Sequence, residues 1–239
     1  MRWLMLSLVV LSGCKAKPVA PVKVAAASDL TEVFAELGQR FEAETKTRVV
    51  FSFGSSGLLA KQLSEGAPFD VFASASVAFV NDTVKAGACD GATVQHYARG
   101  RLALAGHAPL PAFTALADEA NKRIAIANPE HAPYGRAAKE ALQKAGLWDA
   151  VASRIVYAEN VRQALQLADT GNVEVALVAW SNVVHREGVV LVDDALHAPI
   201  EQSLVRCQRG ENAEGGKQFV EFLARPESRA VLLKSGFSE

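Results

Sequence analysis

The chain has 239 residues, half of them hydrophobic and 21% charged, with a formal net charge of −1. That much apolar sequence can bury a real core, which excludes disorder as the global state, and the length suits one large or two small domains. No basic block interrupts the near-balance of charge, which argues against a nucleic-acid partner.

The first residues carry a secretory pattern: Arg2, an apolar stretch from Trp3 to Val10, then Leu11-Ser12-Gly13-Cys14. The apolar run is too short to cross a bilayer as a helix. The tetrapeptide resembles the lipobox of bacterial lipoprotein signals, which implies cleavage before Cys14, diacylation of its sulfur and acylation of the new amino terminus. Residues 1–13 are then a signal peptide, and residues 14–21 a lipidated tether that Pro18 and Pro21 stiffen. Cys89 and Cys207 would remain in a compartment that permits a disulfide. Their spacing leaves open whether they pair or are two buried small hydrophobes.

Strand and helix patterns then alternate. Val22–Ala27 reads as a strand, followed by a helix whose apolar positions Leu30, Val33, Phe34, Leu37 and Phe41 share one face. Arg48–Phe53 is the next expected strand, then helix Gly57–Ser64, strand Phe69–Ser74 and helix Val77–Ala86, a parallel α/β unit. A second set runs through strand Arg101–Ala105, a polar helix before Arg123, strand Arg123–Ala127, helix Tyr134–Ala145, strand Arg154–Ala158, helix Val161–Asp169 and strand Val175–Ala179. Val189–Val192, strand Ser203–Cys207 and helices Gly215–Ala224 and Pro226–Lys234 finish the chain.

Composition breaks fall near His96–Gly100 and His197–Glu201. If the terminal strand and helices return to the first unit, these breaks are two crossings between two domains. One domain is then residues 22–98 plus 201–239, and the other residues 99–200. A ligand cleft would lie between them, at the carboxyl ends of the strands.

Four strand-to-helix junctions stand out: Ala27-Ser28-Asp29-Leu30, Gly54-Ser55-Ser56-Gly57, Asn128 through Gly135, and Glu159-Asn160-Val161. A helix start leaves unpaired backbone N–H groups at the positive end of its dipole, so each junction offers donors to an anion without being a cation. Ser28 and Ser56 read as caps whose hydroxyls accept from their own helices and still hold a proton to donate. Two prolines shape the third junction, and the first free N–H after Pro133 is that of Tyr134. Val161 would offer only its N–H. Four such junctions converging would form a neutral cage for an oxyanion.

Taken in order, several segments resemble the molybdate-binding family of ABC-transporter solute-binding proteins, within the type II periplasmic binding-protein fold. They are Ala25-Ala26-Ala27-Ser28, Phe53-Gly54-Ser55-Ser56, Gly66 through Ala75, Asn128-Pro129-Glu130-His131, Ala138-Lys139-Glu140-Ala141-Leu142, Glu159 through Leu165, and Gly236-Phe237. The resemblance implies an α/β fold of two Rossmann-like three-layer domains joined by two crossover segments. It places oxyanion contacts on Ser28, Asp29 (through its backbone N–H) and Ser56 from one domain and on Tyr134 and Val161 from the other. The implied ligand is molybdate or tungstate, with no cofactor. The implied partners are a membrane permease and its ATPase as separate chains, and the implied form is a monomer held at the periplasmic or cell-surface membrane by lipid on Cys14.

Two positions depart from the family pattern. Many members supply a further tyrosine hydroxyl where this chain reads Ala179-Trp180; either the contact is absent, or the Tyr134 hydroxyl or the Trp180 indole N–H takes its place. An Asp29 carboxylate facing the ligand would repel a dianion and would accept a proton from hydrogen phosphate or hydrogen arsenate. Arg136 and Arg162, just after two junctions, read as helix surface or inter-domain ion pairs. Sulfate, phosphate, a chelated metal or an organic acid are the rival ligands, and a periplasmic sensor on the same fold is a rival role. Catalysis is disfavoured, because the five histidines and the two later cysteines form no metal spacing and no nucleophile elbow is present.

Overall fold

The computed structural model describes residues 19–106 and 108–239. The signal peptide, the lipidated Cys14 and most of the tether lie outside the described residues. In chain order the elements are β1 Val22–Ala27, α1 Thr31–Thr45, β2 Val49–Gly54, α2 Ser56–Ser64, β3 Val71–Ser74, α3 Val77–Lys85 and β4 Gln95–Gly100. Next come β5 Leu102–Gly106, β6 Ile124–Ala127, α4 Pro133–Lys144, α5 Trp148–Val151, β7 Ile155–Ala158, α6 Val161–Asp169, β8 Val175–Ala179 and β9 Val190–Leu191. The chain closes with β10 Ile200–Arg206, α7 Ala213–Leu223 and α8 Pro226–Lys234.

The strands form two five-stranded sheets, ordered β2-β1-β3-β10-β4 and β7-β6-β8-β5-β9. In the first, β1 runs parallel to both β2 and β3, while β10 is antiparallel to β3 and β4. In the second, β6 runs parallel to β7 and β8, and β5 is antiparallel to β8. Parallel strands need crossover helices, which cover the faces and make the central strands apolar throughout. Accordingly β3, β6 and β8 are buried along their whole lengths. This is the two-unit type II periplasmic binding-protein architecture that the resemblance implies.

The apolar stripe of α1 faces inward as its periodicity requires, with Leu30, Val33, Phe34, Leu37 and Phe41 all buried. The end of the chain returns to this unit: Phe219 of α7 meets Phe34 and Phe41 edge-on, at centroid distances of 6.0 and 5.2 Å. Burying each such ring contributes about 1.5–3 kcal/mol.

Three expectations are corrected. His96–Gly100 is no bare crossing but most of β4, an edge strand whose polar side chains face out while Tyr97, Ala98 and Gly100 face in. The first crossing is therefore the single residue Arg101 between β4 and β5, and the boundary expected at 98/99 falls inside a strand. The polar helix expected before Arg123 is a short 3-10 turn, Phe113–Ala117. Arg154 fixes that loop instead, donating to the carbonyls of Asp118 and Asn121 at 2.7 Å each and of Leu116 at 3.2 Å. The second crossing is residues 192–199, since β10 begins at Ile200.

Cys89 and Cys207 are both buried and joined as a disulfide, with a sequence separation of 118. The bond lies where the two segments face each other antiparallel, beyond the outer end of β10.

Candidate functional site

Two passages in each sheet converge on one place. In the first unit β1 enters a 3-10 turn, Ser28–Leu30, ahead of α1, and β2 enters α2. In the second, β6 leads to α4 and β7 to α6. Ser28, Asp29, Ser56, Tyr134 and Val161, drawn from all four passages, line one narrow pocket of about 10 Å³ between the units. All five are buried. An anion therefore enters or leaves only if the two units separate.

The hydroxyls are placed differently from simple caps. Ala27 precedes the first turn and Ser55 precedes α2, neither with a side-chain cap bond, so Ser28 and Ser56 are the first helical residues and their hydroxyls do not cap their own helices. The Ser56 hydroxyl instead accepts from the Ala75 N–H at 3.1 Å, which leaves its proton to donate. The Ser28 hydroxyl makes no hydrogen bond among the described residues. Pro133 opens α4, and the first helical bond there runs from the Arg136 N–H to the Ala132 carbonyl, so the Tyr134 N–H precedes it. Val161 opens α6, where the Asn160 side chain caps Gln163 at 3.0 Å and leaves the Val161 N–H to the pocket.

Local sequence explains why these turns approach so closely. A Cβ on Gly135 would stand 2.0 Å from the Ala127 carbonyl oxygen, so only glycine lets α4 start flush with the end of β6. Asn128 shapes the same loop, accepting from the Glu130 N–H through its side chain at 3.0 Å.

Asp29 is 1% exposed, and its carboxyl is held from both units. The Tyr134 hydroxyl donates to Oδ2 at 3.1 Å and the Gln202 side-chain amide donates to the same oxygen at 2.6 Å. Gln202 is oriented in turn by the Tyr97 hydroxyl, 3.0 Å from its Oε1. Burial pushes the Asp29 carboxyl up from 3.8 to about 6, against the opposing pull of the hydrogen bonds from Tyr134, its own backbone and Gln202. Burial first, and then the nearby Asp29 charge, push both tyrosine hydroxyls well above their ordinary value of 10.

This network disposes of both substitutes for the missing tyrosine. The Tyr134 hydroxyl is committed to Asp29 and sits over Gly100, where a Cβ would come within 2.2 Å of it. Trp180 is not part of the pocket wall; its ring packs on Gly236. Ala179, in β8, pairs with Leu102. Of the alternatives, absence of that contact is what the geometry leaves.

Among the described residues no lysine or arginine lines the pocket. Arg162 of α6 pairs with Glu32 of α1, and Arg136 of α4 lies 4.9 Å over the Phe79 ring of α3, so each ties one unit to the other. Sequence reasoning passed over further ties. The His131 carbonyl accepts from the Ser55 hydroxyl at 2.6 Å and from the Gly57 N–H at 2.9 Å, and the Asp29 carbonyl accepts from the Ser181 hydroxyl at 2.8 Å. Gln202 precedes the expected strand Ser203–Cys207 and, like Ser181, gave no signal; Ser55 stood in one of the four junctions, but its bond to His131 did not show there.

Among the described residues the arrangement brings neutral donors, and no lysine or arginine, to one pocket between the units, which suits a small anion. A family model for bacterial extracellular solute-binding proteins matches residues 22–238. The molybdate-binding protein ModA of Rhodobacter capsulatus is 34% identical over 220 residues, covering 90% of this chain and 87% of that protein. A putative ABC transporter substrate-binding lipoprotein of Bacillus subtilis, YvgL, is 31% identical, covering 90% of this chain and 85% of its own. The periplasmic molybdate-binding protein of Azotobacter vinelandii superposes with a TM-score of 0.86 at 28% identity, covering 91% of this chain and 99% of that structure. The chain belongs to the bacterial extracellular solute-binding protein family.

Proposed function

We propose that this chain is the molybdate-binding component of an ABC transporter, capturing molybdate, and tungstate with it, between its two units. The observation that carries the reading is the buried pocket walled by four helix starts and, among the described residues, by no lysine or arginine. Fixed dipoles aimed inward can balance a dianion locally, and exclusion of water strengthens each bond. A charge-assisted hydrogen bond contributes about 1.5–3 kcal/mol, so two hydroxyls and several N–H groups offset much of the anion's dehydration cost. The similarity to molybdate-binding proteins supports molybdate over smaller tetrahedral anions.

The anion binds the open cleft, the units close about Arg101 and residues 192–199, and the cross-unit bonds of His131, Asp29 and Glu32 form around it. The loaded, monomeric protein then delivers the anion to a membrane permease driven by a separate ATPase. Lipid on Cys14 would hold it outside the cytoplasm at the membrane surface, raising its effective concentration near that permease. The lipoprotein among its relatives supports this anchor.

Calorimetric titration of residues 15–239 with molybdate, tungstate, sulfate and phosphate tests the assignment. Tight binding of the first two and weak or absent heat with the others is expected. Heat with phosphate and none with molybdate overturns it.

A further inference from the structure

Asp29 carries an unusual burden for an anion pocket. Its Oδ2 accepts from Tyr134 and Gln202, but Oδ1 is buried without a partner among the described residues. Among the described residues no cation pairs with it. From the β8–β9 connection Ser181 and Asn182 reach only its backbone carbonyl. Glu32 of α1 is turned to Arg162 of α6 and to Asn182, and β4 and α4 present Tyr97 and Tyr134. The neighbouring ends of β1 and β2 are Ala27 and Gly54, and α2 offers the Ser56 hydroxyl. A bare, buried carboxylate beside a dianion is costly twice over, once in desolvation and once in repulsion. Protonated on Oδ1, the same group keeps both donors on Oδ2 and carries no charge.

The grip on this carboxyl spans the cleft. Asp29 belongs to the first unit and Tyr134 to the second, so any opening that admits an anion breaks their bond and wets the carboxyl. Resting on the anion-binding reading above, we propose that closure of the cleft on its anion takes up one proton from solvent onto the Asp29 carboxyl. The proton moves from buffer to carboxylate on closing and returns on opening.

Burial raises the closed-state value from 3.8 to about 6, and a bound dianion pushes in the same direction. The closed state then binds more protons than the open one between those two values. Affinity is therefore greatest at the acid end and falls as pH rises, by up to roughly tenfold per unit within the window, levelling off above it.

Molybdate titrated into the full-length mature chain at pH 5.5, in two buffers of different ionisation enthalpy, reads the proton directly. Uptake of a substantial fraction of one proton per anion is expected, because pH 5.5 lies between the open and closed values. Asp29→Asn should bind molybdate with heats that no longer depend on the buffer. Tyr134→Phe removes a donor to the ionised carboxylate, so its uptake window should move to higher pH. Buffer-independent heats for the parent chain overturn the proposal while leaving molybdate binding intact, and so does an unmoved window in Tyr134→Phe. An absence of molybdate heat in either buffer overturns the binding assignment itself, and the proton linkage with it.

Discussion

The Ser56 oxygen accepts from the Ala75 N–H at the pocket wall, which leaves its proton free to donate to an anion there. Ser56→Ala should weaken molybdate binding by about 1–3 kcal/mol, the cost of a lost charge-assisted bond, and calorimetry reads that directly. Ser28→Ala should cost a similar amount with less effect on folding, because its hydroxyl has no bond within the described residues to lose. The sequence exposed these serines because a small hydroxyl residue at a helix start is a local pattern. It could not expose what their oxygens accept, since Ala75 lies nineteen residues from Ser56 and meets it only in the folded sheet. The same limit hid the fate of the Tyr134 hydroxyl, which depends on Asp29 and Gly100 coming together from distant parts of the chain.

At the scale of elements, the helix starts work only if their turns seat closely. A Cβ on Gly57 would stand 2.7 Å from the His131 carbonyl and 2.8 Å from the Phe79 ring, so the loop of α4 meets α2 only across a glycine. Gly57→Val should block closure and abolish tight molybdate binding, at a smaller cost to the stability of the ligand-free chain, since within its own unit only the tip of the Phe79 ring must move aside. Gly135→Ala differs, because the clash is with Ala127 inside one unit. It should lower stability by about 1–3 kcal/mol, as overpacking does, and lower affinity too; paired unfolding and binding measurements separate the two cases. Elements with a strong apolar period, such as α1 and β8, were legible in sequence because one face or the whole strand is buried. β4 was not, because an edge strand with exposed Gln95, His96 and Arg99 has the composition of a loop.

At the scale of the whole molecule, two crossings of unequal length join the units, one residue on one side and eight on the other. The alternation of strands and helices suggested a two-unit plan only on the condition that the chain's end returns to the first unit, and it is the fold that brings α7 and α8 to α1. The pairing of Cys89 with Cys207 was not, because spacing says nothing of geometry. Its removal should be costly: by the chain-entropy measure a loop of this length is worth about 4–5 kcal/mol, and urea unfolding of Cys89→Ser/Cys207→Ser checks it. The bond also changes what the chain is. Residues 89–207 form a covalent ring that contains the entire second sheet and both crossings. A protease that cuts once inside that ring, at exposed Pro111-Ala112 for instance, frees no fragment. The nicked chain stays one molecule on a non-reducing gel and separates only when the sulfurs do.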